Sequence, residues 1–173
     1  MTRLNLTPFR LLLAASALLL GALLTPSPGS ASEHELNLSA GLTGQGAPLA
    51  LRGYDPVGYF VDAGPRLGSA AHSTAHDGAT YRFASAENLA RFERSPQRFV
   101  PQYGGFCAYG VSVGAKFDGD PQVWEIVDGK LYLNLNAEIQ KAWKADIDGA
   151  VRKADSNWPR IRSVAPAALK PAG

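Results

Sequence analysis

Val123-Trp124-Glu125-Ile126-Val127-Asp128-Gly129-Lys130-Leu131-Tyr132-Leu133-Asn134 is the stretch that decides the fold. Two runs rich in β-branched and aromatic residues flank Asp-Gly, a dipeptide that readily takes the positive φ values of a tight two-residue turn, so the segment predicts a β-hairpin. Just beyond it Asn136 is a helix cap, and Ile139, Trp143, Ile147, Ala150, Val151 and Ala154 recur at the spacing of one helical face. That stripe predicts a single long amphipathic helix ending near Asn157-Trp158-Pro159 and closing one side of a small sheet. The expected fold is a small, single-domain α+β architecture: a short antiparallel sheet packed against short helices and this longer C-terminal one.

Working upstream, Ala79-Thr80-Tyr81-Arg82-Phe83 alternates like a half-buried strand. Ser85 is placed to cap a short helix from Ala86 to Arg94, with Glu87 in its first turn, Leu89 and Phe92 on its inner face and Ser95-Pro96 as its stop. Gly53-Tyr54-Asp55-Pro56-Val57-Gly58-Tyr59-Phe60 turns at Asp-Pro between aromatic anchors. The domain is expected over residues 49–160. Residues 32–48, rich in Ser, Gly and Asn, read as a flexible lead-in with at most one short strand, and 161–173 as a loose tail.

The chain has 173 residues, 46% hydrophobic and 18% charged, which suits one core and leaves no room for two large domains. Residues 1–31 have the order of an export signal: Arg3 and Arg10, an apolar run from Leu11 to Leu24, then small residues around Gly29-Ser30-Ala31-Ser32. The run is short for a transmembrane helix, so an exported protein, periplasmic or secreted and without stable membrane anchoring after cleavage, is the expectation. Arg3 and Arg10 lie within the signal, and all 15 Asp and Glu lie beyond it, so 15 of the 17 Lys and Arg remain to balance them. A neutral mature chain has no electrostatic footprint for nucleic acid or an anionic membrane surface.

Cys107 is the only cysteine and Met1 the only methionine. An intramolecular disulfide, a Cys-x-x-Cys pair, an iron–sulfur cluster and c-type haem attachment are thereby excluded, and no haem or nucleotide is expected. Gly110-Val111-Ser112-Val113-Gly114 matches a nucleophile elbow, but all three histidines precede Ser112, against the chain order of that family, and no strand leads into it. His72 and His76, four apart, share a face in a helix or a strand, yet two imidazoles fall short of a zinc ligand set and read first as solvated loop or strand side chains. Cys107, among Tyr103, Phe106 and Tyr109, reads either as a packed small hydrophobe or as a thiol in the first turn of a helix begun by Gly104-Gly105, where unpaired N–H groups lower a thiol pKa.

Five segments, Gly53 to Phe60, Tyr81-Arg82-Phe83-Ala84-Ser85-Ala86-Glu87-Asn88, Pro101-Gln102-Tyr103-Gly104-Gly105-Phe106-Cys107-Ala108-Tyr109, Trp124 to Asn134 and Ala154-Asp155-Ser156-Asn157-Trp158-Pro159, together resemble the exported bacterial YHS-domain proteins across residues 49–160. The resemblance implies a small α+β domain and kinship with metal-handling YHS and TRASH-type modules. It also implies a functional Cys107, because some members carry selenocysteine at that place. With one cysteine, a closed cysteine-rich zinc site does not carry over.

Three functions follow as expectations, none of them a settled enzymatic reaction. The first is a protein binding a soft or borderline metal ion, copper or zinc, through Cys107 with His72, His76 or Asp55. The second is a thiol redox protein in which Cys107 forms a sulfenic acid or a mixed disulfide with a partner thiol. The third is a structural or interaction module with Cys107 buried.

Overall fold

A computed structural model describes residues 34–62 and 64–169; the export-signal segment lies outside them. The elements are α1 (Gly58–Val61), β1 (Ser69–His76), β2 (Ala79–Phe83), α2 (Ala86–Arg94), α3 (Ala108–Ser112), β3 (Asp120–Val127), β4 (Lys130–Asn134), α4 (Ala137–Lys144) and α5 (Ile147–Ile161), with short 3-10 turns between them. β1 pairs antiparallel with β2, and β3 with β4, giving two two-stranded sheets in an α+β domain.

Both hairpins turn on Asp-Gly. Asp77 and Gly78 have φ of 46° and 81°, Asp128 and Gly129 of 50° and 71°, the doubly positive arrangement whose twist matches antiparallel strands. α2 begins as its sequence predicts: Ser85 Oγ accepts the Asn88 N–H at 3.2 Å.

β4 divides the interior. Leu131 and Leu133 face a first core with Val57, Phe83 and Phe92, whereas Tyr132 faces a second core with Phe106, Val111, Trp143 and Ala154. The period of two along a strand therefore sends alternate side chains to different cores, and a polar residue on either face is committed to burial. Each of these side chains larger than Ala154, buried almost completely, contributes roughly 1.5–3 kcal/mol through lost contact with water.

Three expectations are corrected. The C-terminal stripe is two helices, not one, broken at Ala145-Asp146, where Asp146 Oδ1 caps α5 by accepting the Gly149 N–H at 2.9 Å. α5 also runs through Pro159 to Ile161, because the Arg162 N–H still reaches the Trp158 carbonyl at 2.9 Å. The lead-in lies against the domain: Asn37 N–H donates to Gly104 and Asn37 Nδ2 to Gly105, and Lys116, 4% exposed, donates from Nζ to the carbonyls of His34 at 2.6 Å and Arg162 at 2.8 Å. Lys116 thus holds the strap before the domain and the chain end of α5 together, with its ammonium 4.9 Å from the Phe106 ring centroid. Among the described residues, no helix is long and apolar enough to cross a membrane.

Candidate functional site

Cys107 sits where α3 meets β4. Its N–H donates to the Phe117 carbonyl at 2.9 Å and its backbone bridges in parallel to Leu133, so the chain passes beside β4 before turning into α3. With φ −58° and ψ 119°, Cys107 is the N-cap, and its Sγ accepts the Gly110 N–H at 3.4 Å. The position ordinarily belongs to an oxygen-bearing side chain; sulfur fills it with a longer, weaker bond.

The second partner is Asn134, which the sequence reading treats only as the last residue of a strand. It lies two residues after Tyr132, hence on the strand face turned to the second core, and it is wholly buried. Its Oδ1 accepts the Cys107 S–H at 3.6 Å and the Tyr109 N–H at 3.3 Å. Its Nδ2 is buried with no partner among the described residues. An amide N–H left unsatisfied in an interior costs about 1–3 kcal/mol. The signal for this residue was a polar side chain at the position where the alternation of β4 continues into a core.

Cys107 is 1% exposed. Burial pushes its thiol above the ordinary value, and the backbone N–H groups of Gly110, Leu135 and Tyr109 pull the other way. The resting state is therefore the protonated thiol, with donors already directed at the sulfur. Gly110 belongs to the same turn: a Cβ there would meet the Phe117 ring at 2.8 Å and the Cys107 Cβ at 3.6 Å. The Phe117 ring, itself 42% exposed, thus covers the turn that holds the thiol.

The other candidate ligands lie elsewhere. Asp55 is fully buried and already saturated: Oδ1 accepts the N–H groups of Val57 at 2.8 Å and Gly58 at 3.3 Å, while Oδ2 accepts Ala84 N–H at 2.9 Å and Asn88 Nδ2 at 2.7 Å. It staples the turn before α1 to β2 and α2. His72 falls in the irregular part of β1, between Ser69 and Ser73, and His76 packs edge-on against Phe92 with Nε2 3.2 Å from Asp77 Oδ2. The structure does not gather Cys107, His72, His76 and Asp55: among the described residues, no three His, Cys, Asp or Glu side chains converge as a metal site would need.

Ser112, of the elbow-like motif, donates from Oγ to the Tyr109 carbonyl at 2.7 Å inside α3. It has a structural partner rather than a base, in keeping with the chain order that argues against a hydrolase. Compared with protein-family models, with curated proteins and with solved structures, the chain matches none.

Proposed function

We propose that this is an exported thiol redox protein of the YHS type in which Cys107 is the reacting group. The observation that carries the reading is the unpartnered Nδ2 of Asn134 beside the buried sulfur. While Cys107 holds its proton, the S–H donates to Oδ1 and the amide nitrogen is unused. Once the proton leaves, turning the amide over presents Nδ2–H to the sulfur and withdraws Oδ1 from the Tyr109 N–H, which then joins Gly110 and Leu135 as a donor to the thiolate. A group idle beside the thiol becomes a donor to the thiolate. These are individual hydrogen bonds; a five-residue helix adds little dipole of its own.

The chemistry suited to one sequestered cysteine is reaction with a small hydroperoxide. The thiolate attacks the outer oxygen, an S–O bond forms as the O–O bond breaks, and the departing alkoxide takes a proton from water. Cys107 is oxidised by two electrons to a sulfenic acid, and the hydroperoxide is reduced to an alcohol. A partner thiol then displaces hydroxide from the sulfenic sulfur, giving a mixed disulfide and water; a second partner thiolate attacks the partner's sulfur in that bond, forming a disulfide between the two partner sulfurs and expelling the Cys107 thiolate. With one cysteine in the chain, both reducing thiols come from outside. The resemblance of the segment around Cys107 to a family with selenocysteine at that place supports the same assignment.

Trapping of the sulfenic acid with dimedone after stoichiometric hydrogen peroxide at neutral pH tests the reading. One adduct on Cys107 is expected in the native protein, forming faster in Phe117→Ala. No adduct in either protein while the urea-unfolded chain reacts would overturn it in favour of a packed thiol. Copper or zinc retained stoichiometrically by the purified protein and lost in Cys107→Ser would overturn it in favour of metal binding.

A further inference from the structure

On a face that the Cys107 reading does not use, a cleft of about 260 Å³ opens between the strap, the β1–β2 turn, the segment before α3 and α5. Its walls include Tyr81, Tyr103 and Trp158, its polar groups include Asp77 and Glu35, and among the described residues no Lys or Arg lines it. Tyr103 and Trp158 meet at 5.8 Å between centroids with their planes 60° apart.

Two features mark the cleft as built. Tyr103 has φ +52°, a left-handed conformation that is costly for a bulky side chain, and the adjoining Gly104 allows the Glu35 carbonyl to pass where a Cβ would stand. The Tyr81 phenol is 3% exposed, and burial together with the Asp77 carboxylate holds it un-ionised well above its ordinary value. Tyr103 donates to Asp155 Oδ1 at 2.9 Å, which enriches its ring in electron density.

We propose that this cleft binds an organic ammonium cation, seated against the Tyr103 and Trp158 rings with its charge answered by Asp77 and Glu35. Aromatic faces attract a desolvating alkylammonium group through their quadrupole, and two carboxylates in a lining that holds no Lys or Arg set the sign of the ligand. The carboxylates are engaged but not saturated: Asp77 Oδ2 lies 3.2 Å from His76 Nε2, and Glu35 Oε1 lies 3.5 Å from Arg162 Nε at the edge of the strap. An ammonium group arriving at the cleft adds a second, fully charged partner to each. The Tyr81 hydroxyl in the cleft wall supplies a lone pair to an N–H or hydroxyl carried by the same ligand.

The test is titration of the intact protein with choline and, separately, with Nα-acetyl-lysine amide, read by the Trp158 indole NMR resonance and assigned with Trp158→Phe. 3,3-Dimethyl-1-butanol, the uncharged isostere of choline, and glucose serve as neutral probes. A saturable shift with either cation and a weaker response to both neutral probes is expected. Tighter choline binding identifies a free quaternary ammonium, and tighter lysine-amide binding a lysine side chain of a peptide. Asp77→Asn, which keeps a turn-forming Asn-Gly pair, should weaken binding about fivefold without unfolding the hairpin. Equal binding of the isostere, saturation by glucose alone, an unchanged affinity in Asp77→Asn, or no saturable shift with either cation would overturn the assignment.

Discussion

Replacing Asn134 with leucine separates a role in thiol chemistry from a role in packing. In the native protein the side chain makes two long contacts, 3.6 Å from the Cys107 sulfur and 3.3 Å from the Tyr109 nitrogen, and leaves Nδ2 unpaired. Each long bond contributes no more than about 0.5–1.5 kcal/mol, while the orphaned N–H costs about 1–3 kcal/mol. Leucine removes all three, fills a similar volume, and leaves the Tyr109 N–H able to turn to the sulfur. Asn134→Leu should therefore unfold in urea within about 1 kcal/mol of the native protein, whereas Asn134→Ala, which leaves a cavity, should lose roughly 2–3 kcal/mol. The thiolate meanwhile loses a donor worth roughly 1.5–3 kcal/mol to a charged acceptor. The native-state rate of Cys107 alkylation by iodoacetamide should accordingly fall ~10-fold or more at a fixed pH below the thiol pKa. A leucine variant that loses more than about 3 kcal/mol yet alkylates at the native rate would show that the amide serves the fold alone, and the thiolate reasoning would fail.

Alkaline pH should weaken the fold in two separable stages. The folded-state pKa of Cys107 is raised, so its protonated form stabilises the protein below the unfolded thiol value, and that contribution is lost as pH climbs through the folded one. Tyr59, Tyr81 and Tyr103 are raised from 10.0 by burial and repeat the pattern at higher pH. In urea-unfolding curves collected against pH, Cys107→Ser should abolish the first stage and keep the second. Asp55→Ala strips three buried donors and one part-buried donor of their acceptor and should cost more than ~3 kcal/mol, measured as a fall in the urea midpoint; a loss under ~1 kcal/mol would refute its role as a staple. Lys116→Met keeps most of the apolar stem but frees the His34 carbonyl, so amide exchange at Asn37 and Ser39 should accelerate while β3 and β4 stay protected. Gly149→Ala should destabilise despite the roughly 1 kcal/mol gain in helix propensity, because the new Cβ would take the space of the capping Asp146 carboxylate; thermal melting reads the sign.

The elements read correctly from the sequence are those whose determinants are local. Val123–Asn134 carries its own turn, and Ser85 carries the start of α2 within three residues of the donor it caps. β1 is harder to read, since Ser69–His76 has no apolar alternation and Thr74 is its one β-branched side chain; it is a strand because Asp77-Gly78 folds it back on β2. The split of α4 from α5 was hidden by a hydrophobic stripe that continues across it. Periodicity reports which face is apolar, and only the Asp146–Gly149 pair, spaced as a cap, records where a new helix starts. The lead-in has the composition of a flexible segment, but its placement depends on Lys116, which composition counts as one more surface charge.

The candidate site divides in the same way. Residue type nominated Asp55, His72 and His76 as ligands because carboxylates and imidazoles bind metals, but availability depends on hydrogen-bond partners that only the fold supplies. Asp55 spends both oxygens on the turn before α1, on β2 and on α2, so what looked like a ligand beside a proline is the reason that turn holds its shape. Asn134 went the other way: an ordinary strand-end residue becomes informative once both faces of β4 are buried, because an interior amide with a free N–H is disfavoured unless some state uses it. The thiol beside it supplies such a state when it ionises. A cysteine kept only for packing gains nothing from a neighbour of that kind, and an apolar side chain of similar volume at residue 134 would seat it without an orphaned N–H. That difference in cost, rather than the cysteine's solitude in the sequence, is the physical ground for treating Cys107 as the reacting group.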